Sequence, residues 1–397
     1  MIGDFLNKYT FRYLLSLALS QVSDDLDKRE GSIIYTALAP FCYILEFFFI
    51  NLKRMNSQAY IQTATGEYLD YKVAEQGMIR FQATKARVHG EFKDYYGEGL
   101  DSETIKIGTI FGTNIMDGEN VLQYTIIATY VDPETNAVIP GEYILEANLY
   151  GTIGNQVNIP LASLVPIENL TTARVINTYI SGRNIETDDE LRSRYIERVK
   201  AKPFGGNIAQ YKQEVGELDG VGGVQVYPVW NGGGTVKLSI VDNEIKPIDA
   251  GFIAYLQDVI DPENGTGVNG LGLGMAPIGH KVTVTTPEEF TINVAMTVTV
   301  KGSIDLPMVQ QPITKAIEDY FTEERIKWPI ADTYNEYSLS IFIARIISAV
   351  LEISGIINVT NVTLNGGTTD VVLLQNTTIQ QLPKLGTVSI TVVNANE

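Results

Sequence analysis

The chain has 397 residues, 45% of them hydrophobic, and its 47 acidic and 29 basic residues give a formal net charge of −18. This length predicts two to four domains, and the apolar fraction is large enough for several cores. The negative charge repels phosphate backbones and anionic lipids, so we expect neither nucleic acid nor a membrane surface as a partner. Cys42 is the single cysteine, which excludes an intrachain disulfide and argues against a cysteine-based zinc site.

The first fifteen residues, MIGDFLNKYTFRYLL, lack the basic segment and the following apolar core of a secretory signal. We therefore expect the chain to be made in the host cytoplasm and to stay there until assembly or lysis. Residues 31–45 carry no charge, but Pro40 interrupts this run and Glu46 closes it. The run is shorter than the roughly 18 to 20 apolar residues of a membrane span, and we expect no membrane insertion.

Apolar residues recur in steps of four and three between residues 34 and 59, which predicts a helix with a heptad seam. Its first six positions form what we call the N-terminal seam: Ile34, Leu38, Phe41, Leu45, Phe48 and Leu52. A preceding helix over residues 11–22 has the same spacing and can cover one side. Because a helix this apolar is not stable alone in water, its other side needs a partner, which is either an intrachain bundle or the helices of other subunits.

A third helix is predicted over residues 67–76, and from residue 83 to about 181 the pattern changes to short alternating runs between Gly, Asp, Asn and Pro turns. This spacing indicates a separate all-β domain, a sandwich or a barrel. Tyr95 and Tyr96 lie at one of the turns. An ordinary hairpin tip is the simpler interpretation, and a loop that stacks on sugars is the alternative.

Residues 186–242 combine two helices with a hairpin. Thr187 and Glu190 have the spacing of a capping box, Pro203 is expected to end the first helix, and Asn207 can cap the second. Alternating apolar residues then flank an Asn-Gly-Gly-Gly turn at 231–234, which predicts a β-hairpin.

A helix predicted over residues 248–260 precedes the glycine-rich stretch GTGVNGLGLGMAPIGHK. The spacing of its first glycines matches a dinucleotide fingerprint, but that motif needs a strand before it and a helix after it, and the order here is reversed. We predict a flexible hinge between domains instead, at Gly265, Gly267, Gly270 and Gly272.

The last hundred residues predict a strand over 290–300, a helix over 308–323 and a second helix over 339–353. An Asn-Gly-Gly turn at 365–367 follows, with an apolar run on either side. This order of helix, glycine break, strand, turn and strand repeats the one around residue 231. The sequence therefore predicts two related α/β modules in tandem.

Few residues offer catalytic or metal chemistry. His89 and His280 are the two histidines, they lie in different predicted domains, and neither has a metal-ligand spacing. No GxSxG, HExxH or GxxxxGK[ST] motif occurs. Adjacent acidic pairs such as 288–289 and 323–324 point apart on a strand or helix, and the acidic turn at 24–27 lacks the ligand order of an EF-hand. We predict no enzyme activity, no cofactor and no metal site.

Five segments together are similar to the baseplate J-like family, wedge proteins of contractile phage tails and phage-tail-like particles. They are REGSIIYTALAP, TGEYLDYKVAEQGMIRFQATKA, GTIGNQV, the stretch from ETDDELRSRY to GVGGVQVYPVWNGGGTVKLSIVD, and GTVSITV. They span nearly the whole chain in family order. The resemblance implies a structural subunit whose N-terminal helices join a smaller wedge protein, and whose α/β domains touch other copies to close a ring around the hub and spike, near the sheath.

These observations predict an α+β multidomain protein: an N-terminal helical assembly segment over 1–80, a β-sandwich-like or barrel domain over 81–184, a middle α/β domain over 185–286 and a C-terminal α/β domain over 287–397. The predicted function is a baseplate wedge subunit that relays the contraction trigger through its interfaces. The N-terminal seam is the predicted subunit interface and Arg345 a further ring contact. The alternative is a receptor- or glycan-binding tail protein that acts through the β domain. A phage, a bacteriocin-like particle and another injection system all remain open.

Overall fold

The computed structural model describes residues 4–394 except 134, 136, 201–204, 302–305 and 331–338. The chain divides into two compact units: residues 1–81 with 185–200 form the first, and residues 82–184 with 201–397 form the second. The chain thus leaves the first unit for about a hundred residues and then returns to it. Pro203, which was predicted to end a helix, lies outside the described residues.

Three helices in the first unit come from the N-terminal segment: α1 (Phe11–Ser20), α2 (Ile33–Gln58) and α3 (Glu67–Ala74). The Ser32 hydroxyl caps α2 by accepting from the backbone N–H of Tyr35. The helix predicted over residues 34–59 is confirmed, and Pro40, which interrupts the uncharged run in the sequence, lies inside this element of 26 residues.

The fourth helix of the first unit, α4 (Asp188–Lys200), begins with the predicted capping box. The Thr187 N–H donates to Glu190 Oε2 at 2.8 Å, and the Glu190 N–H donates to Thr187 Oγ1 at 3.3 Å. Leu191 is buried in one cluster with Leu69 and Val73 of α3. Helix α4 therefore packs on the N-terminal segment, whereas the predicted domain boundaries group it with the helix that follows it.

The β domain of the second unit is a single antiparallel sheet that curls into a half-barrel. Its strands are β1 (Lys85–Lys93), β2 (Ile110–Asp117), β3 (Asn120–Val131), β4 (Val138–Tyr150), β5 (Ala162–Ser163) and β6 (Thr172–Ile180). They lie in the order β5-β2-β3-β4-β1-β6. Alternate side chains of β3 and β4 enter its core, among them Tyr124, Ile126, Tyr143 and Leu145. The all-β pattern of the sequence is confirmed here.

The middle module contains α5 (Ile208–Gly216), β7 (Gly223–Pro228), β8 (Thr235–Val241), α6 (Ala250–Ile260) and β9 (Lys281–Thr285). Asn207 caps α5 as predicted, its side chain accepting from the Gln210 N–H at 2.9 Å. Strands β7 and β8 form the predicted antiparallel hairpin, and β9 pairs with β8 in parallel. Helices α5 and α6 cover the sheet through Tyr211, Val215, Phe252 and Leu256.

The C-terminal module contains β10 (Glu288–Val300), α7 (Leu306–Lys327), β11 (Leu339–Ile341), α8 (Ile343–Leu351), β12 (Ile356–Leu364), β13 (Val371–Leu373) and β14 (Gln381–Asn394). Its main sheet has the order β12-β10-β14, and β11 pairs separately with β13. One prediction is wrong here, because residues 339–341 form a strand and not the start of a helix. The strand predicted after the 365–367 turn is present as β13, and it pairs with β11, where Leu339 and Leu373 are buried together with Trp328.

The two α/β modules still share a pairing pattern, because each central strand, β8 or β10, has one antiparallel and one parallel neighbour. The modules also contact each other directly. Gln225 Nε2 donates to the Trp328 carbonyl at 2.7 Å, and Lys237 Nζ donates to the Thr378 carbonyl at 2.8 Å. The middle sheet is therefore covered on both faces, and burial lowers the pKa of Lys237.

Candidate functional site

Helix α2 uses one narrow stripe to pack on α1. Tyr35, Leu38, Cys42 and Phe49 face the buried leucines of α1. On the same stripe Glu46 Oε1 accepts a hydrogen bond of 2.9 Å from the backbone N–H of Phe11, the first residue of α1. The two helices therefore have a defined register, and Cys42 is a buried free cysteine between them.

Most of the N-terminal seam lies beside this stripe, and Leu38 belongs to both. Leu38 contributes to the α1 contact and Ile34 is half-buried, but the side chains further along the helix are open to solvent. The exposed fractions are 68% for Phe41, 46% for Leu45, 57% for Phe48 and 37% for Leu52. The positions that pack on α1, 35, 42 and 49, are each one residue further along than the seam positions 34, 41 and 48, so the seam lies on a neighbouring face of the helix.

Other large apolar side chains extend this exposed surface around α2. We define the α2 apolar face as the exposed large apolar residues of this helix: Ile33, Phe41, Tyr43, Ile44, Leu45, Phe47, Phe48, Ile50, Leu52 and Met55. Burial of one such side chain stabilises a folded or assembled state by about 1.5–3 kcal/mol. Ten exposed large apolar side chains on one helix indicate an interaction site, because soluble monomers rarely expose large apolar patches.

Tyr43 and Ile50 were not part of the predicted seam. Their contribution could have been predicted from the lack of a polar face on this helix, because a helix that is apolar on every side is expected to be buried on every side. Helix α2 is also long and apolar enough to cross a membrane, with a mean hydropathy of 1.9 over its most apolar stretch. The prediction that the run is too short for a span is therefore wrong. A membrane-spanning helix and a helix that packs on other proteins can both have this length and composition.

The predicted hinge glycines lie in the loop from α6 to β9, within the middle module. Gly267, Gly270 and Gly272 have positive φ angles of 74°, 78° and 72°. The Asp261 carboxylate fixes the loop by accepting from Gly270 N at 2.9 Å and from Val282 N at 2.8 Å. Gly265 does not need a positive φ. A hinge role for these glycines stays a prediction.

The remaining candidates lie apart from the α2 apolar face in the chain. Arg345 is exposed on α8, and its role as a ring contact stays a prediction. Tyr95 and Tyr96 are exposed at the turn after β1, where Asp94 accepts from two backbone N–H groups. This geometry is that of an ordinary tight turn.

The two histidines have separate structural partners. His89 is stacked on Tyr130 at 3.8 Å between ring centroids and lies 2.8 Å from Glu142, and His280 Nδ1 lies 2.9 Å from the Tyr211 hydroxyl. Within the described ranges, no group of three or more His, Cys, Asp or Glu side chains could hold a metal ion.

Comparison with known proteins gives the family. The profile of the baseplate J-like central domain matches residues 203–286, and that of the baseplate J-like protein C-terminal domain matches residues 292–391. The phage-like element PBSX protein XkdT of Bacillus subtilis (strain 168) is 34% identical over 383 residues, which cover 96% of this chain and 97% of that protein. The chain belongs to the baseplate J-like family.

Two further relatives support the assignment. The uncharacterized protein YqbT of Bacillus subtilis (strain 168) is 35% identical over 386 residues, 96% of this chain and 97% of that protein. Baseplate protein gp47 of Escherichia phage Mu is 32% identical over 191 residues, 46% of this chain and 50% of that protein. A cryo-EM structure of the anti-feeding prophage baseplate aligns over 93% of this chain and 90% of that one, with 10% identity and a TM-score of 0.38, which is too low to establish a shared fold.

Membership in this family makes the chain a baseplate protein of a phage or of a prophage-derived tail-like particle. It points to a structural protein that works inside the particle, in contact with other baseplate proteins. The α2 apolar face is consequently the first place to look for such a contact.

Proposed function

We propose that this baseplate J-like chain is a wedge subunit that joins its neighbours through the α2 apolar face. The observation that supports this is the exposure of Phe41, Leu45 and Phe48 on a helix whose neighbouring stripe is already packed on α1. Helices of a second subunit can cover this face with knobs-into-holes packing, because the seam repeats every three and four residues. The partners are a smaller wedge protein and other copies of this chain.

The second unit supplies the rest of the proposed role. Its α/β modules contact neighbouring copies, close a ring around the hub and spike, and rearrange these contacts when the tail meets a surface, which releases sheath contraction. Such a relay requires interfaces with two stable arrangements and no covalent chemistry. The side-chain bonds that join the middle and C-terminal modules support this, since two modules fixed to each other can move as one body.

The decisive experiment replaces Leu45 by Asp in the full chain, expressed with the other tail proteins. A carboxylate in a closed apolar contact remains unpaired at a cost of several kcal/mol, so we expect no assembled particles and no co-purification with wedge partners. The isolated variant should keep its helical circular dichroism, because Leu45 is not in the α1 contact.

Asn51→Asp is the matched control, because it adds the same charge at an exposed polar position of the same helix. This variant should assemble normally. Normal assembly of Leu45→Asp would contradict the proposal and favour a receptor- or glycan-binding role for the β domain. A point substitution is sharper than deletion of residues 1–80, which would also remove Leu69 and Val73 from Leu191 in α4.

A further inference from the structure

Strand β14 lies at the edge of its sheet in the described part of the chain. It pairs with β10 along its length, and no other strand of the described chain pairs with it. Only its beginning is covered, where the Gln381 N–H donates to the Leu374 carbonyl at 2.9 Å. Backbone donors and acceptors further along this edge are available to a new strand.

A bulge separates the two halves of β14. The pairing with β10 shifts between Ile292 and Val294, where Asn293 Oδ1 accepts from the Thr387 N–H at 2.9 Å. A Cβ atom at Gly386 would lie 2.2 Å from the same oxygen, so a larger residue there would displace the Asn293 side chain. Beyond it the register is regular, with seven consecutive pairs from Val294↔Val388 to Val300↔Asn394.

This regular half lacks the features by which edges usually avoid pairing. The stretch from Leu385 to Asn394, LGTVSITVVN, contains no charged residue and no proline. Natural edge strands are protected by charges, prolines or bulges. The opposite edge of the same sheet, β12, is irregular instead, because its pairing with β10 shifts twice and Asn361 has a positive φ of 53°.

Charge decides what can pair there. Two copies of a chain with a net charge of −18 repel each other, so a contact between copies is most favourable where neither surface contributes charge. Antiparallel pairing about a two-fold axis places a strand against the same strand of the second copy. An uncharged strand satisfies this arrangement without like-charge conflict.

We propose that Val388–Asn394 of β14 pairs antiparallel with the same segment of a second copy and joins the two C-terminal sheets into one. The inner side chains Val388, Ile390 and Val392 already pack on the core, and Ser389, Thr391 and Val393 form the exposed row. The pairing gives the proposed ring one of its contacts between copies, and it rests on the proposed function for that setting. It does not involve the α2 apolar face.

Disulfide trapping tests the pairing. In a Cys42→Ala background, which removes the buried native thiol, we would introduce Ser389→Cys, Thr391→Cys and Val393→Cys singly and oxidise mildly. Facing residues of an antiparallel pair have Cβ atoms about 4.5–5.5 Å apart, close to disulfide geometry, so the position nearest the two-fold axis should give a covalent dimer. Thr360→Cys on the β12 edge, also exposed, is the control and should stay monomeric. No dimer from any β14 position, or an equal yield from Thr360→Cys, would overturn the proposal.

A second measurement separates this contact from the α2 contact. In a Leu45→Asp background, sedimentation equilibrium should still show the β14 dimer, and Thr391→Lys should weaken that dimer at least tenfold, because it places like charges across the pair. Thr360→Lys should leave the dimer unchanged. Loss of particles in Leu45→Asp with a persistent β14 dimer would support both proposals. Assembly that depends on Leu45 with no dimer at β14 would remove only the strand pairing.

Discussion

Helices α2 and α7 both have apolar residues at helical spacing, but these residues are buried in α7 and exposed in α2. In α7 the side chains of Ile313, Ile317 and Phe321 are fully buried against the sheet of the C-terminal module. In α2 the equivalent steps at Phe41 and Phe48 lead to side chains that are more than half exposed. The periodicity therefore predicts a buried stripe in both helices. It does not indicate whether residues of the same chain or of another subunit bury that stripe.

The two units also differ in how the protein shifts the pKa of one aspartate in each. In the first unit, Asp188 accepts a hydrogen bond from the Gly66 N–H and pairs with Arg80 at 2.7 Å, and these contacts lower its pKa. In the second unit, Asp242 accepts backbone N–H bonds from Glu244 and Lys246, yet burial outweighs them and raises its pKa to about 7. The Asp188 carboxylate is thus partly exposed to water, whereas the Asp242 carboxylate is buried.

The largest effect that we predict is a loss of stability caused by a substitution in α7, the buried helix of the two. Phe321→Ala in α7 should destabilise the second unit by about 3–5 kcal/mol, because the lost ring leaves a cavity in a closed core. Urea unfolding followed by tryptophan fluorescence measures this directly, since Trp230 and Trp328 both belong to the second unit. A loss below about 1 kcal/mol would mean that this core is loosely packed and that the comparison fails.

The polar comparison predicts opposite responses to pH. Asp188 has a lowered pKa, so its contribution to the first unit is present above the unfolded value and is lost as the pH falls. Asp242 has a raised pKa of about 7, so the folded state binds an extra proton between the unfolded value and pH 7. The stability of the second unit should therefore decrease as the pH rises from 5 to 8, by roughly 2–4 kcal/mol.

Asp242→Asn tests this assignment, because the amide keeps an oxygen acceptor for the N–H groups of Glu244 and Lys246. We expect the variant to be more stable than the wild type at pH 8 and nearly equal at pH 5, in urea unfolding followed by tryptophan fluorescence. The same destabilisation at both pH values would show that a lost hydrogen bond, and not the buried charge, determines the result.

Local patterns in the sequence predict local structure well here, and they fail where partners are distant in the chain. The Thr187 capping box and the hairpin of β7 and β8 need only neighbours, and both are confirmed. The pairing of β13 with β11, which lies more than twenty residues earlier, is not evident from the Asn-Gly-Gly turn that precedes β13. The packing of α4 on α3 likewise joins segments on either side of the β domain.

The sequence predicts what the candidate site consists of, an apolar helix, but not which face of that helix packs on α1. The steps of four and three correctly predict an apolar helix, and its need for a partner other than α1 stays a prediction. They do not indicate which face α1 takes, because α2 is apolar on every side and no polar face fixes its rotation. The Glu46 carboxylate, which bonds to Phe11 N, is the one charged group on the buried stripe, and its partner is not evident from spacing.

The smallest predicted effect on stability comes from the matched substitution in α2, the exposed helix of the two. Phe48→Ala removes the same ring as Phe321→Ala, but its side chain is 57% exposed and touches Phe49 at one edge. The first unit should lose less than about 1 kcal/mol, as followed by circular dichroism at the helical band, because little of this ring is buried within the chain. Particle assembly should nevertheless fall, since the ring becomes buried only against another subunit. A loss of stability as large as that of Phe321→Ala would show that Phe48 is core of this chain, and the contrast between the two helices would disappear.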